Sequence, residues 1–444
     1  PMSQKVTTVR RTVNQYRGMA LSPCASRFRT IHLFKRLAPL LVTALLTPDL
    51  AATTPNDAPQ DRTAVEASIS EALVDTPYIN QLLVDREFPV LGGRWGGDLF
   101  IDLPLNGEPE GADVTLRRAK LSYARRLTGH WRLKLQADYT RNGGLELSDN
   151  YLSWSGWDQA LITLGIIDPP FSLESVSSSS GITFMERALP VAALSERKSG
   201  GVNLLGRTRR GILNGTLILF NIDRDDLRED GEGLVFHYSH SPIEPARDSQ
   251  LHLGASLSDR WNATDEGTRF RSRPEIATVD DFFVDTGEIP NSDRIGRVSL
   301  EASEVRGRFS WQSELIGARV ERTIAGTTMF WGAYVFASWF FTADQRNYNL
   351  GDGSYGRVSV NNPVFEGGWG AFELAARASV VDLNDQDVSG GKERNLSLGL
   401  NWYANDQVRV MVNAIKVLDV DRPGSEFDGE DPLILGLRLQ WSLN

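Results

Sequence analysis

The last stretch of the chain is striped. Leu433, Leu435, Leu437, Leu439, Trp441 and Leu443 share one parity, and Arg438, Gln440, Ser442 and Asn444 share the other. Upstream, Leu396, Leu398, Leu400 and Trp402 alternate with Ser397, Gly399, Asn401 and Tyr403. A strand places every second side chain on one face, so this period of two predicts strands with one apolar and one polar face. A chain built of little else predicts an all-β, transmembrane antiparallel β-barrel, apolar outside and wet inside. Such a shape favours passage through a pore over chemistry on a substrate.

The same pattern predicts strands at 97–103, 113–126, 130–142, 146–156, 160–168, 200–208, 211–221 and 232–241. A second set follows at 249–260, 294–303, 305–322, 327–341, 370–382, 394–404, 406–418 and 433–443. That makes about 16 strands, an even number, as bacterial single-chain barrels require. Short connections, such as Thr128-Gly129 and Asn405-Asp406, alternate with longer ones at 261–293, 342–369 and 419–432. That alternation predicts short turns at one barrel end and long loops at the other. The segment 169–199, with Ser177-Ser178-Ser179-Ser180-Gly181 and Glu196-Arg197-Lys198, is a candidate for a loop folded into the lumen.

Composition leaves this picture standing. With 41% apolar residues and a mean hydropathy of −0.27, the chain has no run of the roughly 18–20 apolar residues a spanning helix needs. A barrel escapes that test because only half of each strand faces lipid. Arg27, Arg29, Lys35 and Arg36 precede the mostly apolar run 37–46, and Ala51 and Ala52 follow, the order of a secretory signal peptide. Residues 1–52 therefore read as an over-long start plus signal, with Met19 a candidate initiator; 53–96 reads as a periplasmic linker and short helix, and 97–444 as the barrel. The only cysteine, Cys24, falls in the leader, which removes disulfides and thiolate chemistry from the mature chain.

Charge adds a direction. Residues 112–212 carry 14 Lys and Arg against 9 Asp and Glu, whereas 213–444 carry 22 against 36. Parity puts Arg118, Lys120, Ser122 and Arg126 opposite Ala119, Leu121 and Tyr123. On the next strand Arg132, Lys134, Gln136 and Asp138 lie opposite Trp131, Leu133, Leu135 and Tyr139. A Lys or Arg facing mid-bilayer lipid costs roughly 2–4 kcal/mol, so these cations belong in the lumen. Arg118, Lys120, Arg132 and Lys134 are expected to converge on one permeating anion, as cationic rings do in anion pores. Each could instead pair with a carboxylate such as Asp138 or Glu146.

Several motifs carry a family resemblance. They are Gly165 followed by Pro169-Pro170-Phe171-Ser172-Leu173-Glu174, then Ile182-Thr183-Phe184-Met185-Glu186-Arg187-Ala188-Leu189-Pro190, and Phe270-Arg271-Ser272-Arg273-Pro274-Glu275. Gly370-Ala371-Phe372-Glu373-Leu374-Ala375-Ala376-Arg377, and Leu400-Asn401-Trp402-Tyr403 before Arg409, continue the set. From about Gly97 onward the chain resembles the phosphate-selective porin O and P family of Gram-negative outer membranes. The resemblance implies a sixteen-stranded homotrimeric barrel whose third loop folds inward to a constriction, here the segment 169–199. It implies that basic and hydroxyl groups hold phosphate there: Ser177, Ser178, Ser179, Ser180, Arg187, Arg197 and Lys198 on the loop, and Arg118, Lys120, Arg132 and Lys134 on the wall. It implies an outer-membrane location, passive transport of phosphate or other small anions, contact with the lipid bilayer and lipopolysaccharide, and insertion by the barrel-assembly machinery. The chain departs from the family at Ile166, Ile167 and Asp168, where a lysine usually precedes the proline, and at its non-aromatic terminus. An acid at the loop base weakens anion attraction, which favours a pore for anions or small polar solutes over strict phosphate selectivity.

Other function classes find little support. There is no Gly-x-Ser-x-Gly elbow and no His-Glu-x-x-His, so no enzyme and no cofactor are expected. His237 and His240 fall on opposite strand faces and should not share a metal ion. The acidic chain, with cations on strand parities rather than in an exposed patch, gives no sign of nucleic-acid binding. A soluble β-rich binding protein is the remaining alternative, and membrane fractionation distinguishes it.

Overall fold

The computed structural model describes residues 93–106, 114–139, 144–207, 211–221, 231–241, 249–261 and 267–443. The expected leader at 1–52 and nearly all of the linker segment at 53–96 lie outside the described residues. Strands run in chain order as β1 (Arg94–Pro104), β2 (Thr115–Arg126), β3 (Trp131–Tyr139), β4 (Leu145–Leu147), β5 (Asn150–Trp157) and β6 (Ala160–Ile167). Two short helices follow, α1 (Leu173–Val176) and α2 (Leu189–Leu194), then β7 (Ser199–Arg207), β8 (Gly211–Asn221), β9 (Glu232–His240) and β10 (Ser249–Trp261). The rest are β11 (Arg271–Ser272), β12 (Val284–Asp285), β13 (Ser292–Arg306), β14 (Phe309–Arg322), β15 (Gly326–Phe340), β16 (Asn347–Asn349) and β17 (Ser354–Gly356). β18 (Ala371–Asp385), β19 (Val388–Tyr403), β20 (Val408–Asp421) and β21 (Leu433–Leu443) complete the chain.

β4 and β5 both pair with β3 and are two pieces of one stave, broken at Ser148 and Asp149. With β11–β12 and β16–β17 set aside as small hairpins inside loops, sixteen antiparallel staves remain. The ring closes where β1 pairs with β21, from Gly97 opposite Leu443 to Pro104 opposite Gly436. Among the described residues no stave of the barrel is left without a neighbour on either side, which is the condition for spanning a bilayer with strands.

The stripes decide which face is which. Leu433, Leu439, Trp441 and Leu443 are exposed, while Ile434, Arg438, Gln440 and Ser442 are buried. The same alternation puts Trp331, Val335 and Trp339 of β15 and Leu396, Leu398 and Leu400 of β19 on the outside. These are large apolar side chains on the barrel's outside, as a lipid-facing wall requires.

The barrel interior is filled unevenly. The loop 168–198 turns inward and buries Phe171, Phe184, Leu189 and Leu194 against wall residues such as Ile316, Phe330, Phe336 and Val381. Each fully buried side chain of this size contributes about 1.5–3 kcal/mol. Helix α2 lies on β14, β15 and β18, and Gly332 makes that approach possible, since a Cβ there would meet the Pro190 Cβ at 2.7 Å.

Two further connections also fold in. The β10–β13 connection buries Ile276, Val279 and Phe283 against Met411, Ile415 and Val417, and the β15–β18 connection packs Tyr355 on Leu173. Only the first of these three was expected from sequence.

Two expectations are corrected. The β13–β14 hairpin turns at Gly307 and Arg308, about three residues beyond the boundary drawn from parity, because Arg306 still pairs with Phe309 and Gly307 supplies the left-handed backbone (φ 54°). Long and short connections are also not cleanly sorted. Consecutive antiparallel staves put the 341–370 connection at the same end as the short turns at 127–130, 158–159 and 307–308, while the short turns at 323–325 and 386–387 lie with the long loops. The 341–370 segment therefore enters the lumen from the turn side.

Candidate functional site in the lumen

The basic wall begins with an irregularity. β1 and β2 shift register between Phe100 and Ile101, so Phe100 faces Arg118 while Ile101 faces Leu116. The extra residue, Arg117, is a bulge. Strict alternation would send Arg117 outward with Ala119 and Leu121; the bulge brings it inside beside Arg118. Arg117 then binds Glu186 of the loop through two bonds of 2.6 and 2.8 Å. Sequence parity missed this residue, and an Arg-Arg pair at a strand start was its only signal.

Three of the remaining wall cations are held by facing carboxylates. Lys120 lies 2.6 Å from Asp98, Arg118 lies 3.6 Å from Asp138, and Lys134 lies 2.8 Å from Asp149. Asp138 was anticipated as a pairing carboxylate; Asp98 and Asp149 were not. Arg118 also donates to the Ser179 hydroxyl, joining wall to loop. Lys198 binds both Asp149 and Asp168, the latter at 2.7 Å, so the acid at the loop base is neutralised by a cation of the same loop.

Convergence on a single anion does not occur. β2 and β3 form a hairpin, so residues equidistant from its turn are level: Lys120 faces Asp138, Ala124 faces Lys134, and Arg126 faces Arg132. Six residues separate the Lys120 level from the Arg132 level, about 20 Å of strand at ~3.4 Å per residue. The four cations form a track along the wall rather than a ring.

The loop candidates divide. Ser177 is buried, donating to the Leu173 carbonyl at 2.7 Å and accepting from the Tyr355 N–H at 3.1 Å. Ser180 is buried against Ser178, 2.9 Å away, and only Ser178 and Ser179 keep water contact. Arg187 is turned back on the loop, donating to the carbonyls of Glu174, Ser175 and Ser177. Arg197 donates to the Ala192 carbonyl at 3.0 Å. These arginines hold the loop's shape.

The acidic half of the barrel carries out a different task. Its buried arginines grip the loop: Arg409 donates to the Ile182 and Thr183 carbonyls at 2.7 Å, and Arg438 to the Met185 carbonyl and to Glu186. Arg377 reaches Glu275 at 2.9 Å and the Glu186 carbonyl at 3.0 Å. Arg260 and Arg297 clamp Glu196 at 2.5 and 2.8 Å. Burial pushes the Glu196 carboxyl up, but the two guanidiniums overcome it and hold it at about 2. Likewise burial raises Glu186, and Arg117 and Arg438 bring it below the usual carboxylate range.

The outcome is an exposure contrast. Side chains of Arg117, Arg118, Lys120 and Lys134 remain 17–31% exposed, whereas those of Arg260, Arg297, Arg377, Arg409 and Arg438 are 0–3% exposed. The loops cover the acid-rich wall and leave water against the basic one.

The comparisons with known proteins agree with this architecture. Porin O of Pseudomonas aeruginosa is 25% identical over 374 residues, covering 75% of this chain and 83% of that protein. An uncharacterized protein of Caulobacter vibrioides is 29% identical over 316 residues, 68% of this chain; the match spans 62% of that relative's length. Among solved structures, Salmonella typhi OmpF in complex with daunomycin superposes with a TM-score of 0.51 at 11% identity, covering 79% of this chain and 97% of that one, a likeness of fold alone. The family model for phosphate-selective porin O and P matches residues 90–443, and the chain belongs to that family of Gram-negative outer-membrane porins.

Proposed function

We propose that this protein is a passive outer-membrane pore that favours small anions, phosphate and polyphosphate among them, without strict phosphate specificity. The exposure contrast carries the reading: wall cations on β2 and β3 keep water contact, while Arg260, Arg297, Arg377, Arg409 and Arg438 of the acid-rich wall are consumed in anchoring the loops. In a water-filled channel, charges that touch water set the local potential, and fixed cations raise the local concentration of anions. Arg118 and Ser179, together at the loop–wall junction, offer a guanidinium fork and a hydroxyl suited to phosphate oxygens. The substrate-pathway candidates are therefore Arg117, Arg118, Lys120, Arg132 and Lys134 on the wall, with Ser178 and Ser179 on the loop.

Weak rather than strict selectivity follows from Asp168. It is 57% exposed and neutralises Lys198 at the loop base, where an unneutralised cation would strengthen anion capture. We also propose a homotrimer, as the family resemblance implies, surrounded by lipid and lipopolysaccharide and inserted by the barrel-assembly machinery.

Planar-bilayer recording under a salt gradient tests the reading. A reversal potential on the anion side is expected, with chloride current lowered by added phosphate, pyrophosphate or sulfate to similar extents. Cation preference overturns the anion proposal, and saturable block by phosphate alone overturns the proposed lack of strict specificity. Light scattering of the detergent-solubilised protein tests the trimer, and a monomer mass refutes it.

A further inference from the structure

β9, β10 and β13 bring two histidines and a glutamate together around a missing side chain. Gly254 of β10 faces Glu301 of β13, and a Cβ at Gly254 would stand 2.1 Å from Glu301 Oε1. His252 lies two residues before Gly254 on the same inward face, and His237 of β9 faces Ser256, two residues after it. The two imidazoles thus approach from opposite sides of the gap, with ring centroids 6.5 Å apart. The Glu301 carboxylate enters between them.

We propose that His237, His252 and Glu301 form a binding site for one divalent transition-metal ion of the zinc class. One ligand atom from each residue lies within 4.8 Å of the others, and His252 Nε2 is 3.1 Å from Glu301 Oε1. Neighbouring donors around a tetrahedral zinc at ~2.0–2.1 Å stand about 3.3 Å apart, so His252 Nε2 and Glu301 Oε1 are already near that spacing, while His237 Nε2, in direct contact with Glu301 Oε1, must draw back to admit the ion. Two neutral imidazoles and one carboxylate are a donor set that suits zinc.

Two further observations fit a cation. His252 Nδ1 lies 2.6 Å from the Tyr348 hydroxyl, which itself lies 2.7 Å from Ser241 Oγ. Tyr348 can accept from His252 Nδ1–H, and in that tautomer the Nε2 lone pair points at Glu301 Oε1, where a bound cation would join the two. Glu301 Oε2 is buried without a hydrogen-bond partner among the described residues, and all three side chains are at most 1% exposed. A carboxylate oxygen so placed is costly unless it meets a charge. Bound in bidentate fashion, Glu301 would supply that oxygen as a fourth donor.

The Tyr348 bond gives the site a structural consequence. Tyr348 belongs to β16 in the segment that enters from the turn side, so an ion fixing His252 also fixes that segment against the wall.

The test uses the full chain refolded in detergent, incubated with zinc and freed of excess by gel filtration. About one zinc per chain is expected by elemental analysis, with at least tenfold less in His252→Gln and in Glu301→Gln that retain the heat-modifiable gel mobility of a folded barrel. A folded wild type that retains no zinc overturns the proposal, as does equal zinc content in the variants. Because those variants could fail to fold, X-ray absorption at the zinc edge of the wild type provides a separate arm. Imidazole and carboxylate ligands are expected, and a first coordination sphere without imidazole overturns the site.

Discussion

Reversing the charge of Lys120 and Lys134 should move the pore's ion preference in a calculable way. Each lysine faces the lumen and keeps partial water contact, 17% and 26% of its side chain. An ion passing at about 8 Å through water interacts with one unit charge by roughly 0.5 kcal/mol, reduced to about 0.2 kcal/mol by salt at a Debye length of ~10 Å. Lys→Glu changes each site by two charges, so an anion loses about 0.5 kcal/mol there and a cation gains as much. The permeability ratio then falls by about 1 kcal/mol, or roughly fivefold at 1.4 kcal/mol per decade. The two sites are four residues apart along the hairpin, about 14 Å, so their effects act in series rather than sum at one point.

The assay is the reversal potential of Lys120→Glu/Lys134→Glu across a tenfold salt gradient, beside wild type and the neutral double variant Lys120→Gln/Lys134→Gln. The neutral variant should show about half the shift, roughly twofold. Lys120→Glu stands beside Asp98, so folding is checked by heat-modifiable mobility. An unchanged reversal potential in both folded variants would show that the open lumen does not run along this wall.

Other expectations follow from the loop anchors. Arg377→Ala strands buried Glu275 and releases the Glu186 carbonyl, and should cost about 3–5 kcal/mol; a lower thermal midpoint and a larger, noisier conductance are the readouts. Gly332→Ala forces a Cβ into Pro190 and the Val380 carbonyl, and should destabilise by about 1–3 kcal/mol, seen as earlier protease cleavage within 168–198. Glu196 has a depressed folded value, so the stabilisation from its Arg260 and Arg297 clamp is complete above ~4.3 and is lost as pH falls through about 2. Loop protection from an acid-tolerant protease should therefore persist at pH 4 and disappear near pH 2, and loss already at pH 4 would contradict the clamp. Arg117→Ala should lower anion preference in the same direction as Lys120→Gln, since the β2 bulge points this residue inward.

Strand parity and charge location were legible from residue order because they are local. Leu439 and Trp441 outside, with Arg438 and Gln440 inside, follow from a period of two along one strand, and the same count produced all sixteen staves. The third loop's inward course was also legible, through the motifs from Pro169 to Pro190. What parity could not see is where the period slips. The bulge at Arg117 is an offset between two strands, set by how β1 meets β2, and nothing in β2 alone encodes it.

Register and enclosure belong to the tertiary structure for the same reason. Arg118, Lys120, Arg132 and Lys134 all face inward as their order demands, yet the hairpin spreads them along the wall, because antiparallel pairing makes level only residues equidistant from the turn. His237 and His252, which no sequence spacing links, meet across Gly254 because β9 and β10 are neighbours in the ring. The acidic excess of the second half said nothing about where that charge would be spent. Only the folded loops, covering Arg377, Arg409 and Arg438 and leaving Lys120 and Lys134 in water, decide which charges a passing ion meets. The sequence alone determined a barrel with a greasy outside and a charged inside, since a strand's faces depend on one dihedral pattern. The lumen's electrostatics required three dimensions, since they depend on which charges the loops leave uncovered.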